Sequence, residues 1–338
     1  MNFKINDCKV IKTRIAQRNE IIDYGIKMVG APLEWDETMG EDIKIGVIDT
    51  GICADHIDLK GRIRDCANFA GGSLDDIEDK NGHGTHVAGI ICAEKNGVGV
   101  VGVAPKADLY VAKAFDADGK TTYPSIAKSL NWMIDKKVDV INMSFSSEIS
   151  TNEYKNLISK TSAAGISMIC AAGNEGHERD NTIGYPANFR ETIAVTAVDI
   201  NRKIADFSSC GGEAEIAAAG KDIYSTYLNG GYATLSGTSM ATPIITGAAA
   251  ILHGKCLLRY DRKLSPQELR LLLNIYTDKL GNRGRDRQYG YGLFSFGRIG
   301  TTEYIYSSLE SGKGTSVASY GKNDKFSRAY DMMMKLMY

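Results

Sequence analysis

The chain has 338 residues, 43% of them hydrophobic, enough to bury a large core in one big domain or two ordinary ones. Forty basic against 41 acidic residues leave a formal net charge of -1, and no run of like charges marks a nucleic-acid footprint or a membrane-binding stripe. Neither nucleic acid nor membrane is therefore expected as a partner.

The first 20 residues mix Lys, Arg, Asp and Glu with isolated apolar side chains and lack the continuous apolar stretch of a secretory signal. Residues 1–18 read as an extension ahead of the main domain. Two roles are open for it: a segment lying across a cleft until it is cut, or a disordered terminus.

From about residue 43 to 255, short apolar β-branched runs alternate with longer stretches of helical character. That is the pattern of an α/β domain, a mostly parallel sheet with helices on both faces. Strands are expected at 43–48, 108–115, 138–143, 166–171 and 192–198. Helices are expected near 84–93, 123–136, 152–164, 240–256 and 265–277, the last opened by Ser265-Pro266, a cap followed by Pro at the first helical position. In open α/β sheets ligands bind beyond the carboxyl ends of the strands, so residues just after the strands are the candidates for chemistry.

After Phe296 the pattern breaks. Residues 311–324 read as a flexible linker, and a tail helix follows. Its Phe326, Ala329, Tyr330, Met333 and Met337 share one face, a stripe suited to packing on its own chain or to a partner, a second copy included. The expected division is an extension at 1–18, a main domain at 19–300, and a linker with tail helix at 301–338. No segment approaches the roughly 20 consecutive apolar residues of a membrane span.

Seven cysteines, an odd number without a Cys-x-x-Cys pairing, read as reduced thiols and mostly as small core fillers. That fits a cytoplasmic location, where structural disulfides are uncommon.

Four strings carry the chemistry. The strand at 43–48 ends in Asp49-Thr50-Gly51, a carboxylate at a strand's end followed by a residue that lets the chain turn away; alone, it serves structure or ligand binding as readily. In Asn81-Gly82-His83-Gly84-Thr85-His86, two glycines leave the His83 imidazole uncrowded, whereas His86 leads into an apolar helical stretch and reads as a hydrogen-bonded core residue. The pair lacks metal-ligand spacing. In Ser236-Gly237-Thr238-Ser239-Met240, Ser239 sits in the first helical turn, where developing negative charge is favoured, and Gly237 supplies backbone freedom for a close approach. Taken alone, Ser239 also reads as a helix cap. In Cys170-Ala171-Ala172-Gly173-Asn174-Glu175-Gly176, the Asn174 amide is a donor that needs no change of protonation; with the Ser239 main-chain N–H it would form an oxyanion hole.

Together and in this order, these strings resemble the four signature motifs of the subtilisin-like serine proteases, over about residues 24–297, and most closely the intracellular branch. The resemblance implies a three-layer fold and a serine endopeptidase in which Asp49 orients His83, His83 is the general base, Ser239 attacks the scissile carbonyl and Asn174 holds the oxyanion. It implies that a peptide or protein substrate is bound as an added strand between Gly119-Lys120-Thr121 and Ser144-Phe145-Ser146, beside Ala171 and Gly173. Gly184 would floor the pocket for the residue before the cleaved bond, with Glu175 at its rim. Tyr123, Ile126 and Phe145 would line an outer apolar pocket, or else are ordinary core residues.

This chain departs from the family at Thr121, Ser146 and Ser147, where smaller residues are usual, and the expected consequence is a narrower groove. It also carries Ile244 where a His is common, from which altered packing with intact chemistry is expected. The loop Asn96–Pro105 resembles the family's calcium loop. Carried over position by position, a structural Ca²⁺ would be held by Asp58, the Asn96 side chain, the carbonyls of Glu94, Val98 and Val100, and Glu20; the other reading is a metal-free Gly-rich turn. Two further functions compete with hydrolysis: a catalytically silent peptide-binding protein on the same fold, and transfer of the acyl group to an amine by a ligase or cyclase.

Overall fold

Strand formation follows the apolar runs. The computed structural model describes residues 2–5, 12–14, 19–298 and 324–337. In it, β3 (Lys44–Asp49), β5 (Asp108–Lys113), β7 (Val140–Met143), β8 (Ser167–Ala171) and β9 (Ile193–Val198) fall within two residues of the expected strands. Every residue of β7, β8 and β9 is buried, as in parallel strands covered on both faces. The remaining strands of the sheet are β4 (Ile63–Asn68), β10 (Ala214–Ala219), β13 (Thr277–Asp278) and β14 (Leu293–Phe294). The order is β13-β14-β10-β9-β8-β7-β3-β5-β4, and every neighbouring pair except β13–β14 is parallel. The chain enters the parallel sheet at β3, goes out to the edge strand β4, returns to β5 between them, and then crosses to β7 on the other side of β3. The carboxyl end of β3 is thus the switch point of the sheet, where a crevice opens.

Helices cover both faces. On one lie α1 (Tyr24–Val29), α2 (His83–Cys92), α5 (Thr238–Tyr260) and α6 (Pro266–Ile275), on the other α3 (Tyr123–Lys136) and α4 (Asn152–Ala163), each layer with its own apolar cluster. The Ser265 cap of α6 forms a full capping box with Glu268. Helix α5 runs well past its expected end, and by length and composition it could cross a membrane, contrary to the sequence reading. It does not need to: 89% of that apolar window is buried inside the protein, because α5 packs along β7, β8, β9 and β10.

Both ends of the chain are tied to this body. In the extension, β1 (Asn2–Lys4) pairs antiparallel with β6 (Lys120–Thr122), and β2 (Lys12–Arg14) pairs antiparallel with β12 (Tyr232–Leu235), which forms a hairpin with β11 (Ile223–Thr226). At the other end α7 (Lys325–Met337) buries Phe326, Ala329, Tyr330 and Met333. The stripe expected to face its own chain or a partner packs on its own chain, beside α6. Asp324, expected as the last linker residue, instead pairs with Arg259 and accepts from the Ser327 N–H, so it caps the tail helix and holds it to the end of α5. Linker residues 311–323 lie outside the described residues. Six of the cysteines are described; all six are free thiols, four of them buried, and Cys8 lies outside the described residues.

Candidate active site

Asp49 ends β3, and His83 opens α2. The His83 Nδ1 lies 2.7 Å from Asp49 Oδ1, and both residues are buried. The Thr50 N–H donates to the same carboxylate oxygen at 2.8 Å, so the carboxylate is fixed before the imidazole meets it. The two glycines beside His83 answer to the backbone more than to the imidazole. Gly82 has a φ of 99°, the left-handed region, and a Cβ on Gly84 would stand 2.3 Å from the Gly51 carbonyl oxygen. Larger residues here would push α2 away from the end of β3.

Ser239 lies in the first turn of α5 with no exposed surface. It is not the cap: Gly237 holds that position, without a side-chain bond. The φ of Gly237 is 162°, extended backbone open to any residue, so the freedom expected of this glycine is not used. The Ser239 Oγ donates to the Ser144 carbonyl at 3.0 Å, and the Ser144 Oγ donates back to the Ser239 carbonyl at 2.9 Å. This pair joins the α5 N-terminus to the loop after β7, one wall of the expected groove.

Asn174 follows β8. Its Oδ1 accepts from both the N–H and the Oγ1 of Thr238, each at 2.9 Å. With the oxygen fixed, the amide Nδ2 is the end left to donate. Thr238 was missed in the sequence, as was Ser144 in its bonding role, because nothing in their spacing distinguishes them from ordinary turn residues.

The substrate segments flank a cavity of about 1240 Å³ lined by Lys120, Thr121, Ser146, Ser147, Glu175 and Gly184. One occupant of this groove belongs to the chain itself. Phe3 pairs with Thr121 across β1 and β6, Lys4 exchanges two main-chain bonds with Ser146 at 3.3 Å, and the Ile5 N–H donates to the Gly119 carbonyl at 3.0 Å. Phe3 is 2% exposed, edge-on to Phe145 (centroids 5.7 Å apart) and Tyr154 (5.2 Å). Phe145 and Ile126 are buried beside it and Tyr123 is half-buried, so the outer apolar pocket and the core are one cluster.

Of the three larger groove residues, only Ser146 turns its side chain against Gly184. A Cβ on Gly184 would lie 3.0 Å from the Ser146 Cβ. The Thr121 Oγ1 donates to the Ala114 carbonyl and the Ser147 Oγ to Ile149, both turned into their own chain segments. Ile244 is buried, with its Cδ1 against Gly25 at α1, away from the Asp49–His83 pair.

His86 is fully buried. Its Nε2 lies 3.1 Å from the Ile223 carbonyl and 3.0 Å from that of Ala233, bracing the β11–β12 hairpin, and burial lowers its pKa to about 3. The expected structural role is what its contacts describe.

Of the expected calcium ligands, the side chains of Asp58, Asn96 and Glu20 all bond within the loop at 96–100. Asp58 is fully buried and accepts from the Val100 N–H, the Tyr232 hydroxyl and the Asn96 amide, while Glu20 accepts from the Gly97 N–H at 2.8 Å. The Glu94 side chain pairs with Arg62, which leaves its carbonyl for the loop. Asp58 has no ion-pair partner among the described residues. A buried carboxylate with Asn96 beside it and Glu20 on the same loop is of the hard, oxygen-bearing kind that suits Ca²⁺, although here the Asp58 oxygens are met by N–H and O–H donors. No cluster of three or more His, Cys, Asp or Glu side chains occurs among the described residues, so a transition-metal centre has no such ligand set there.

The family model of the subtilases matches residues 40–292. An intracellular serine protease of Paenibacillus polymyxa is 43% identical over 271 residues, 79% of this chain and 83% of its own length. Subtilisin DY of Bacillus licheniformis is 41% identical over 278 residues, covering 82% and 97%, and the major intracellular serine protease of Bacillus subtilis is 39% identical over 267, covering 77% and 83%.

Proposed function

The chain belongs to the subtilase family and is a serine endopeptidase acting on peptides or proteins, and we propose that its nucleophile, base and orienting acid are Ser239, His83 and Asp49. The 2.7 Å contact between His83 and Asp49 carries this assignment. In the reaction, the Ser239 Oγ turns from the Ser144 carbonyl to the imidazole, gives up its proton to His83 and attacks the scissile carbonyl. Asn174 Nδ2 and the Ser239 main-chain N–H hold the oxyanion. His83 then passes the proton to the leaving amine, and water hydrolyses the acyl-enzyme by the same route. Asp49 steadies the imidazolium throughout. The relatives are named as serine proteases, which favours neither an amine-accepting ligase nor a silent binding protein.

We further propose that the enzyme works in the cytoplasm, in keeping with the names of its intracellular relatives. Ca²⁺, bound by Asp58, Asn96, Glu20 and the carbonyls of Glu94, Val98 and Val100, would neutralise the buried Asp58 and stiffen the loop; the chemistry it supplies is structural. Ser146 beside Gly184 supports a restricted pocket and therefore selective cleavage.

Residues 1–18 restrain the enzyme. Their first strand occupies the groove with the main-chain pairing of a substrate, and their second is bound to β12. Both anchors border the His83 loop: the Asn81 Nδ2 donates to Ala117 beside β6, and the Tyr227 hydroxyl beside the hairpin donates to Asn81. The test compares the full chain with Phe3→Asp and with a chain starting at residue 19. A lower KM in both variants, and inhibition of the shortened enzyme by added peptide 1–18, are expected; equal kinetics in all three would overturn the restraint.

A further inference from the structure

Helix α2 presents the base of the triad, yet it begins without a cap of its own. Its N-cap is Gly82, which has no side chain. The N–H groups of a first helical turn have no intrahelical acceptor and cost free energy if buried unmet. Here they are met from outside the helix. The His83 N–H donates to Asn81 Oδ1 at 3.2 Å, the Gly84 N–H to the Thr50 hydroxyl at 2.9 Å, and the Thr85 N–H to Asp79 Oδ2 at 2.9 Å.

Asp79 is the centre of this arrangement. The residue is 4% exposed and accepts five hydrogen bonds. Its Oδ1 takes the Thr50 hydroxyl at 2.9 Å and the N–H groups of Asn81 and Gly82 at 3.0 and 2.8 Å; its Oδ2 takes the N–H and hydroxyl of Thr85 at 2.9 and 2.7 Å. Thr50 is the residue after Asp49, and Asn81, Gly82 and Thr85 bracket His83. One carboxylate therefore ties the strand end that carries the acid to the helix start that carries the base. It has no cationic partner among the described residues. Its charge is met by N–H and O–H donors at a helix N-terminus, where a negative charge is favoured.

The strap that bears Asp79 is itself fixed. Lys113, 7% exposed and opposite Asp49 in the register of β3 and β5, donates from Nζ to the Glu78 carbonyl at 2.7 Å. Ile52 and Glu78 form a parallel bridge on the far side of the strap. Asp79 is thus held at the same carboxyl end of the sheet that sets Asp49.

We infer that Asp79 is a positioning residue of the proteolytic reaction, holding Asp49 and His83 at their mutual distance without touching substrate. The inference rests on the assignment of Asp49, His83 and Ser239. Its removal loosens the acid–base pair while leaving the groove, which is built from β6 and the loop after β7, unchanged. The expected defect therefore lies in kcat and spares KM, because misplacement of a reacting group by about 1 Å costs on the order of 100-fold.

The test measures steady-state cleavage of a peptide by the wild type, Asp79→Ala, Asp79→Asn, Thr50→Val and Ser239→Ala, each checked for a native melt. Asp79→Ala is expected to lose about 10- to 100-fold in kcat with KM within about twofold. Asp79→Asn keeps an oxygen for Thr50, Asn81 and Gly82 but turns its NH2 toward the Thr85 N–H, and is expected to recover only part of that loss. Thr50→Val, which cuts the link to Asp79 and to Gly84, is expected to lower kcat alone. A folded Asp79→Ala with wild-type kcat would overturn the inference, and if that variant does not fold, an unchanged kcat in Thr50→Val would overturn it. Activity surviving in Ser239→Ala would instead overturn the triad assignment, so the two failures are distinguishable.

Discussion

His83 and His86 stand three residues apart on one helix and do different work, because their surroundings differ. His83 faces a carboxylate at the mouth of the sheet, whereas His86 is sealed between α2 and a hairpin with only carbonyls to bond. Burial lowers the His86 pKa to about 3, and burial likewise lowers that of His253, in the middle of α5, to about 4. The sign of the effect on stability follows. An unfolded histidine takes up its proton near pH 6.5, whereas these two stay neutral in the folded state until far lower pH. Their contribution is complete above pH 6.5 and is lost as pH falls toward 3–4. Between pH 6.5 and 5 the two together should cost roughly 3 kcal/mol of stability. Thermal melts across this range should show a falling midpoint, with a shallower slope in His253→Gln; a midpoint that is flat or rises on acidification contradicts the account. The two roles could be assigned from sequence because His83 lies between glycines and His86 begins an apolar run. Asp79 gave no such signal, since it lies in an acidic stretch with Asp75, Asp76 and Glu78, and only its five bonds distinguish it.

At the scale of elements, the sequence was legible wherever the local pattern and the packing agree. The five β-branched runs became strands because parallel strands buried on both faces need continuous apolar sequence. Strands β4 and β10 escaped notice for the opposite reason. β4 reads Ile-Arg-Asp-Cys-Ala-Asn at the sheet edge, and β10 is mostly alanine, so neither has the usual β-former signature. The extension strands β1 and β2 are three residues each and exist only as additions to edges supplied by the body, which no local pattern encodes. The calcium loop belongs to this scale too. If Ca²⁺ neutralises Asp58, adding a chelator should lower the melting midpoint by several degrees, and Asp58→Asn should lower the midpoint and abolish the chelator response. About 1 kcal/mol corresponds to 2–4 °C for a domain of 150–250 residues, so the shift is measurable. A chelator response that persists in Asp58→Asn, or none in the parent, would contradict the site.

Across the whole molecule, three devices converge on one crevice. The strand order reverses at β3, where the crevice opens; α2 and α5 carry His83 and Ser239 in their first turns; and the first strand of the extension pairs with β6 at the groove. The tail helix lies elsewhere, bound through Arg259 and Asp324 at the end of α5, and serves the fold. The central claim is that Ser239 is the activated nucleophile of this crevice. A fluorophosphonate probe, which reacts with an activated serine and slowly with an ordinary one, tests it directly when applied to the chain starting at residue 19 and followed by peptide mapping. The account predicts rapid, stoichiometric modification of Ser239, lost in His83→Ala and in Ser239→Ala. A folded protein that stays unmodified, or carries the label on another residue, would contradict it.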